Sequence, residues 1–193
     1  MKKDNYIIKS LNGMAYGFFC SLIIGTIFKQ IGNFANISQL AAWGEVATYL
    51  MGPAIGAGIA YAIDAKGLNL IAAVIAGTIG AGTFNGNTAT TGNPIAAFVA
   101  VIIAVEVTRL VQGKTPVDIL LVPFTSIIVA GIVTIFIGPY ITKLIVWIGD
   151  LINQGVNMQP FFMSIVVAVL MGMALTAPIS SAAIGVMLGL NGL

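Results

Sequence analysis

Long apolar runs separated by short polar turns dominate the pattern along this chain. Runs such as 127–137 and 161–173 continue without the alternation of apolar and polar residues that barrel strands show. Because every backbone polar group must find a partner inside the hydrocarbon layer, such runs are typical of membrane-spanning helices. We therefore predict an all-α, polytopic helical bundle in which residues 1–193 form a single transmembrane domain.

The same pattern predicts about six full spans and a truncated seventh, at roughly twenty residues per span. The full spans are expected at residues 11–28, 45–63, 68–83, 95–111, 116–137 and 160–175. A mixed segment at 29–44 is expected either to lie in the membrane interface or to form a short half-helix. The apolar run 185–193 begins the seventh span, so we expect the chain to be incomplete at its C-terminal end.

Two uncharged polar stretches, at residues 82–94 and 176–181, break the apolar pattern. Three spans lie between their starts, and this offset inverts the topology, so one break would face outward and the other inward. Paired breaks of this kind, re-entrant or lining a cavity, indicate the solute site of a transporter. The alternatives are an ordinary external loop rich in turn residues and a proline kink with serine back-bonding. The candidate solute-binding residues here are Asn85, Asn87, Thr88, Thr91, Thr176, Ser180 and Ser181.

An acidic residue inside a predicted span adds one more candidate for solute binding. Glu106 lies three residues before Arg109, so the two side chains share one face of a helix. Either they neutralise each other near the interface, or Glu106 accepts a hydrogen bond from the solute or couples transport to protons.

Composition and charge exclude several classes of function. Hydrophobic residues make up 59% of the chain and charged residues 7%, whereas soluble domains average about 25% charged residues. The chain has no histidine and one cysteine, Cys20, and it shows neither metal-ligand spacing nor a nucleophile–base pair. We therefore predict no catalytic residue, no metal and no cofactor, and the lack of a basic cluster beyond the N-terminus argues against nucleic-acid binding.

Charge and glycine spacing predict the orientation and the packing. The positive-inside rule predicts a cytoplasmic N-terminus, since five lysines fall on that side and two on the other. The first group is Lys2, Lys3, Lys9, Lys66 and Lys114, and the second is Lys29 and Lys143. Glycine pairs at 13/17, 52/56 and 185/189 predict close helix packing and are compatible with a homodimer, with the outer surface in contact with membrane lipid.

Several motifs together resemble the sugar permeases of the phosphotransferase system, in the second stand-alone EIIC-type family. The most specific motif is Met-Gly-Met-Ala-Leu-Thr-Ala-Pro-Ile-Ser-Ser at 171–181. Shorter motifs occur at 12–15, 80–82, 106–115, 118–123 and 159–161. The resemblance implies a multi-pass protein of the bacterial cytoplasmic membrane that moves a sugar. It also implies a separate phosphorylated IIB protein as the partner that donates phosphate.

Two other functions stay open when the residues alone are considered. One is a secondary transporter or exporter that moves a non-sugar solute with an ion gradient, and the other is a non-transporting membrane scaffold or sensor. Whether the protein counts as an enzyme is left undecided. No catalytic chemistry is visible in the chain, which would at most be the membrane subunit of a sugar phosphotransferase complex.

Overall fold

The computed structural model describes residues 3–82, 84–85, 88–89, 92–114, 116–141, 143–144, 147 and 165. This part of the chain is helical apart from one small hairpin of strands β1 (Phe84–Asn85) and β2 (Thr88–Ala89), which confirms the predicted helical class. The α-helices are α1 (Lys3–Phe18), α2 (Ile24–Phe34), α3 (Ser38–Tyr49), α4 (Met51–Ala62), α5 (Leu68–Ala81), α6 (Pro94–Val111) and α7 (Asp118–Phe136). A π-helix, Phe19–Ile23, joins α1 to α2.

Three helical stretches within these ranges are long and apolar enough to cross a membrane. They are Tyr6–Phe34, Pro94–Val111 and Asp118–Phe136, while α5 is apolar but shorter. The first, fourth and fifth predicted spans therefore correspond to long helices, although the predicted count of six is not confirmed. The predicted spans at 160–175 and 185–193 lie outside the described residues, apart from residue 165.

The first helix is longer than the sequence pattern predicted. It continues through the π-helix and α2 to Phe34, so residues 29–34 complete this helix and do not form a separate segment. The polar side chains of Gln30 and Asn33 remain at least partly exposed, which lets the helix continue without burying them. The chain then reverses at Asn36 (φ 54) and enters α3.

The prediction of one continuous span at 45–63 is wrong, because the helix breaks at Leu50. This residue (φ −80, ψ 10) ends α3 and also precedes the first residue of α4. Pro53 gives the physical reason. Its ring nitrogen cannot donate the hydrogen bond that the carbonyl of Tyr49 would accept, and the ring crowds that carbonyl.

Helices α1 and α4 pack antiparallel, with their backbones in contact at two glycines. A Cβ atom on Gly13 would lie 2.4 Å from the carbonyl oxygen of Gly58, and one on Gly17 would lie 2.2 Å from that of Ala54. Any larger residue would therefore collide with main-chain atoms, which cannot rotate away. Small residues that allow such an approach are the usual means of helix association in membranes.

Helices α4 and α5 meet in the same way. A Cβ atom on Gly56 would lie 2.2 Å from the Ala73 carbonyl oxygen, and one on Gly77 would lie 2.3 Å from that of Gly52. The glycine pairs at 13/17 and 52/56 are thus both used for packing inside the chain. The pair at 185/189 lies outside the described residues.

The registers of these contacts place several backbone interruptions at one level of the bundle. Extending the Gly13–Gly58 and Gly17–Ala54 register by one turn sets Ser21, in the π-helix, opposite Leu50. Extending the α4–α5 register sets Ile79 beside Leu50, half a turn before α5 ends. Beyond this level α2 and α3 continue for about 17 Å and pack on each other.

Two ion pairs mark the ends of this arrangement. Lys9 and Asp64 are 3.5 Å apart near the start of the first helix, and Lys29 and Glu45 are 3.6 Å apart on α2 and α3. About twenty residues of helix separate the two lysines, which corresponds to about 30 Å. That separation equals the usual thickness of the hydrocarbon core of a bilayer.

Gly17→Ala should lower the free energy of unfolding by about 3 kcal/mol, since the new methyl group meets main-chain atoms that cannot move aside. Gly131→Ala is the matched control. It lies within α7, and nothing lies within 4 Å of the position that its new methyl group would take, so it should stabilise the helix by about 0.5–1 kcal/mol. Thermal unfolding of the full chain in mild detergent measures both, and equal stabilities would contradict glycine-mediated packing.

Candidate functional site

The first polar break begins and ends where the end of α5 meets the start of α6. We call this contact, between residues 81–82 and 92–93, the neck. Gly82 follows α5 in the left-handed conformation (φ 66), and Gly92 returns with φ 77. The Asn93 amide then donates a hydrogen bond to the carbonyl oxygen of Ala81, at 2.8 Å. A Cβ atom on Gly92 would lie 2.6 Å from that same oxygen. The chain at the neck therefore has no room for a larger residue at position 92.

A tight hairpin lies between the two sides of this neck. Strand β1 pairs antiparallel with β2, and the register sets Asn85 directly across from Thr88. Two of the predicted solute-binding residues are thus brought to neighbouring backbone positions. The predicted site residues Asn87, Thr91, Thr176, Ser180 and Ser181 lie outside the described residues.

The start of α6 satisfies its own backbone amides. Pro94 has no N–H group, the Asn93 side-chain oxygen accepts from the amides of Ile95 (3.0 Å) and Ala96 (3.2 Å), and the Asn93 carbonyl accepts from Ala97 (3.0 Å). The first four helical residues, which usually leave unpaired donors, are all accounted for. Sequence reasoning missed Asn93, although asparagine before proline is a known signature of a helix start.

Glu106 lies near the other end of α6, in a cluster of polar groups. Its Oε1 atom accepts from the Tyr6 hydroxyl at 2.6 Å and from Arg109 Nη1 at 2.7 Å. The prediction that Glu106 and Arg109 share a helix face is confirmed. Both bonds fall on Oε1, so Oε2 has no partner among the residues that the structure describes.

Arg109 extends the cluster to a third helix. Its Nη2 atom donates to the carbonyl oxygen of Ile63, at the C-terminal end of α4. A cation is favourable at that position because helix dipoles leave partial negative charge there. The Glu106–Arg109 pair itself contributes only a few tenths of a kcal/mol, since their side chains are 49% and 32% exposed. The cluster therefore joins α1, α4 and α6, and the positive charge of Arg109 balances the negative charge of the Glu106 carboxylate.

Two buried polar contacts connect α5 to its neighbours. The hydroxyl of Thr108, on α6, bonds to the side-chain oxygen of Asn69, and the hydroxyl of Ser126, on α7, donates to the Ala72 carbonyl at 3.1 Å. These long-range contacts had no signal in the sequence pattern. Within the described ranges, no group of three His, Cys, Asp or Glu side chains could hold a metal ion.

The two candidate regions lie at opposite ends of α6. About thirteen residues of helix separate Asn93 from Glu106, which corresponds to about 20 Å. One small solute does not span that distance. The structure therefore brings Asn85 and Thr88 together and keeps both far from Glu106.

The Tyr6–Glu106 hydrogen bond should appear as coupling in a double-mutant cycle. We expect Tyr6→Phe and Glu106→Gln to show an interaction energy of about 1 kcal/mol in thermal or denaturant unfolding. Tyr16→Phe is the control, because Tyr16 is exposed on the same helix and makes no hydrogen bond within the described chain. Coupling as large for Tyr16 as for Tyr6 would show that the contact contributes nothing specific.

Comparison with known proteins identifies the family of this chain. A family model described as "Phosphotransferase system, EIIC" matches residues 8–193, nearly the whole chain. No curated protein and no solved structure matches the chain. The matched region includes both polar breaks and all the motifs that carry the resemblance. The chain thus belongs to the EIIC family of the phosphotransferase system, and it is an integral membrane protein that transports sugar as the permease subunit, working with a separate IIB component.

Proposed function

We propose that the sugar binds at the polar segment between α5 and α6, within the thickness of the membrane. The side chains that bind the sugar would be those of Asn85, Asn87, Thr88 and Thr91. A second group at the other break would complete the site, namely Thr176, Ser180 and Ser181. Neutral amide and hydroxyl groups can donate and accept hydrogen bonds, as an uncharged, hydroxyl-rich solute requires.

The level of the neck along the bundle, relative to the two ion pairs, carries this proposal. The level that Ser21 and Leu50 share lies about 18 Å along the first helix from Lys9 and about 12 Å short of Lys29. If the two ion pairs mark the edges of the hydrocarbon core, the polar segment begins inside that core. Irregular backbone is tolerated there only where it is buried in protein or lines a cavity. Transporters typically bind solute at such interrupted helices.

The hydrogen bonding of the neck also supports a position inside the membrane. An unpaired amide in hydrocarbon costs several kcal/mol. The start of α6 avoids that cost because Asn93 and Pro94 leave no free donor in the first turn. An external loop can carry the same cap, because helix starts in water are capped in this way too, but inside the membrane the pairing is required.

We propose a different position on the sugar pathway for Glu106. Its Oε2 atom, unpaired within the described residues, and its partial exposure suit a hydrogen-bond acceptor at the mouth of the pathway, about 20 Å from the neck along α6. Its Oε1 atom already accepts from Tyr6 and Arg109, so Oε2 is the atom that would accept from a sugar hydroxyl.

We further propose a bacterial cytoplasmic membrane with the N-terminus inside. Lys9, Lys66 and Lys114 cluster at the end of the bundle that holds the N-terminus, and the IIB protein would approach this face. The exposed apolar side chains of α7, such as Phe124 and Ile135, would contact lipid. A homodimer, if formed, would use such a face, since the described glycine pairs pack inside the chain.

Uptake into vesicles tests both the energy source and the site. We expect sugar phosphate to accumulate inside vesicles that carry the full chain only when phosphoenolpyruvate and the soluble phosphotransfer proteins are present. Asn85→Ala and Thr88→Ala should each raise KM roughly tenfold, the equivalent of one lost hydrogen bond of about 1.4 kcal/mol.

Asn33→Ala and Thr125→Ala are matched controls that should leave uptake unchanged. Asn33 is exposed at the end of α2, and the Thr125 hydroxyl bonds to its own helix at the Leu121 carbonyl. Uptake driven by an ion gradient alone would instead favour a secondary transporter. No uptake under either condition would favour a scaffold or sensor.

Labelling of single cysteines tests the orientation. Cys20→Ser removes the chain's one cysteine, and Ser38→Cys or Lys114→Cys then adds one at either end of the bundle. An impermeant maleimide should label Ser38→Cys from outside intact cells, and Lys114→Cys only after the membrane is opened. The reverse pattern would contradict a cytoplasmic N-terminus.

A further inference from the structure

Asn93 makes hydrogen bonds with both helices that flank the polar segment. Its main-chain amide donates to Ala81, the last residue of α5, at 2.8 Å. Its side-chain oxygen accepts from Ile95 and Ala96, in the first turn of α6. One residue therefore ties the end of one helix to the start of the next, with the hairpin of Asn85 and Thr88 between them.

The surrounding backbone makes this connection rigid. Gly80, one residue before Ala81, packs so closely on α6 that a Cβ atom there would lie 2.5 Å from the Ala100 methyl carbon. Gly82 and Gly92 adopt positive φ angles that other residues reach only with strain. The end of α5 and the start of α6 thus lie close together, and the chain of the hairpin starts and ends at this contact.

We infer that Asn93 is a positioning residue for sugar binding, acting through the hairpin that it holds and not by touching the sugar. This inference rests on the proposed sugar site in the polar segment. Hydrogen bonds that recognise a solute lose strength quickly when the groups shift by about 1 Å. A neck without the Asn93 side-chain bonds would let α6 begin one residue earlier or later and would move Asn85 and Thr88.

The experiment compares two substitutions of Asn93 in the full chain. Glycine is tolerated at helix starts but has no side-chain acceptor, whereas serine keeps one and adds no charge. We expect Asn93→Gly to raise the KM for sugar uptake roughly tenfold with little change in kcat, and Asn93→Ser to keep the original KM. Each KM is measured alongside the thermal midpoint, on folded protein separated by size.

Asp118→Ala is the matched control. The Asp118 carboxylate also accepts from a backbone amide beside a helix, that of Gly113, but at the opposite end of α6. This variant should lose thermal stability without a change in KM. A purely structural role for Asn93 would produce the same result, a lower midpoint with an unchanged KM, and would overturn the inference.

The outcomes separate this inference from the proposed site. If Asn85→Ala and Thr88→Ala leave KM unchanged, the proposed site itself is wrong, and the positioning role is wrong with it. If those variants raise KM while Asn93→Gly does not, the site stands and the role of Asn93 is overturned. A raised KM in Asn93→Ser would also overturn it, because serine retains the acceptor that defines the role.

Discussion

Direct contact between helix backbones is the constraint on which the described structure depends. Lipid chains are as apolar as leucine, so burying apolar side chains gives helices in a membrane little reason to associate. Close approach at small residues restores an advantage, because many backbone atoms then reach van der Waals distance at once. Gly17 against Ala54 and Gly56 against Ala73 fix α1, α4 and α5 in this way. Since the contacts are backbone to backbone, they fix the register of the helices as well as their distance.

That register also sets the relative positions of the interruptions in the helices. The π-helix, the break at Leu50 and the neck after Ala81 come from unrelated local causes, yet the registers bring them to one level. Each interruption leaves main-chain groups outside the regular helical pattern, and such groups are the ones that a membrane protein can offer to a polar solute. The Glu106 cluster differs from this layer. It ties helix ends together through partly exposed side chains, and its charges are already paired.

The sequence predicted the features that depend on neighbouring residues. Helices α6 and α7 lie within two residues of the expected limits, because proline, glycine and polar turns bound their apolar runs. The pairing of Glu106 with Arg109 followed from helical spacing. The break at Leu50 was predictable from Pro53 in principle, but the apolar run masked it. The bonds from Tyr6 to Glu106 and from Asn69 to Thr108 join residues far apart in sequence, so no local pattern contains them. The level of the polar segment along the bundle was equally hidden, since it depends on the length of α5 relative to its neighbours.

The register shared by α1, α4 and α5 also limits how the chain can change in length. Inserting one residue into α1 or α4 would shift everything beyond it by about 1.5 Å and rotate it by about 100°. Glycines such as Gly13 would then turn away from their partners, and bulkier neighbouring residues would enter the contact between the helices. Length variation is therefore compatible with this packing at the reversal around Asn36, where α2 has ended and α3 has not yet begun. Related chains that keep this arrangement should differ in length there and not within α1 or α4.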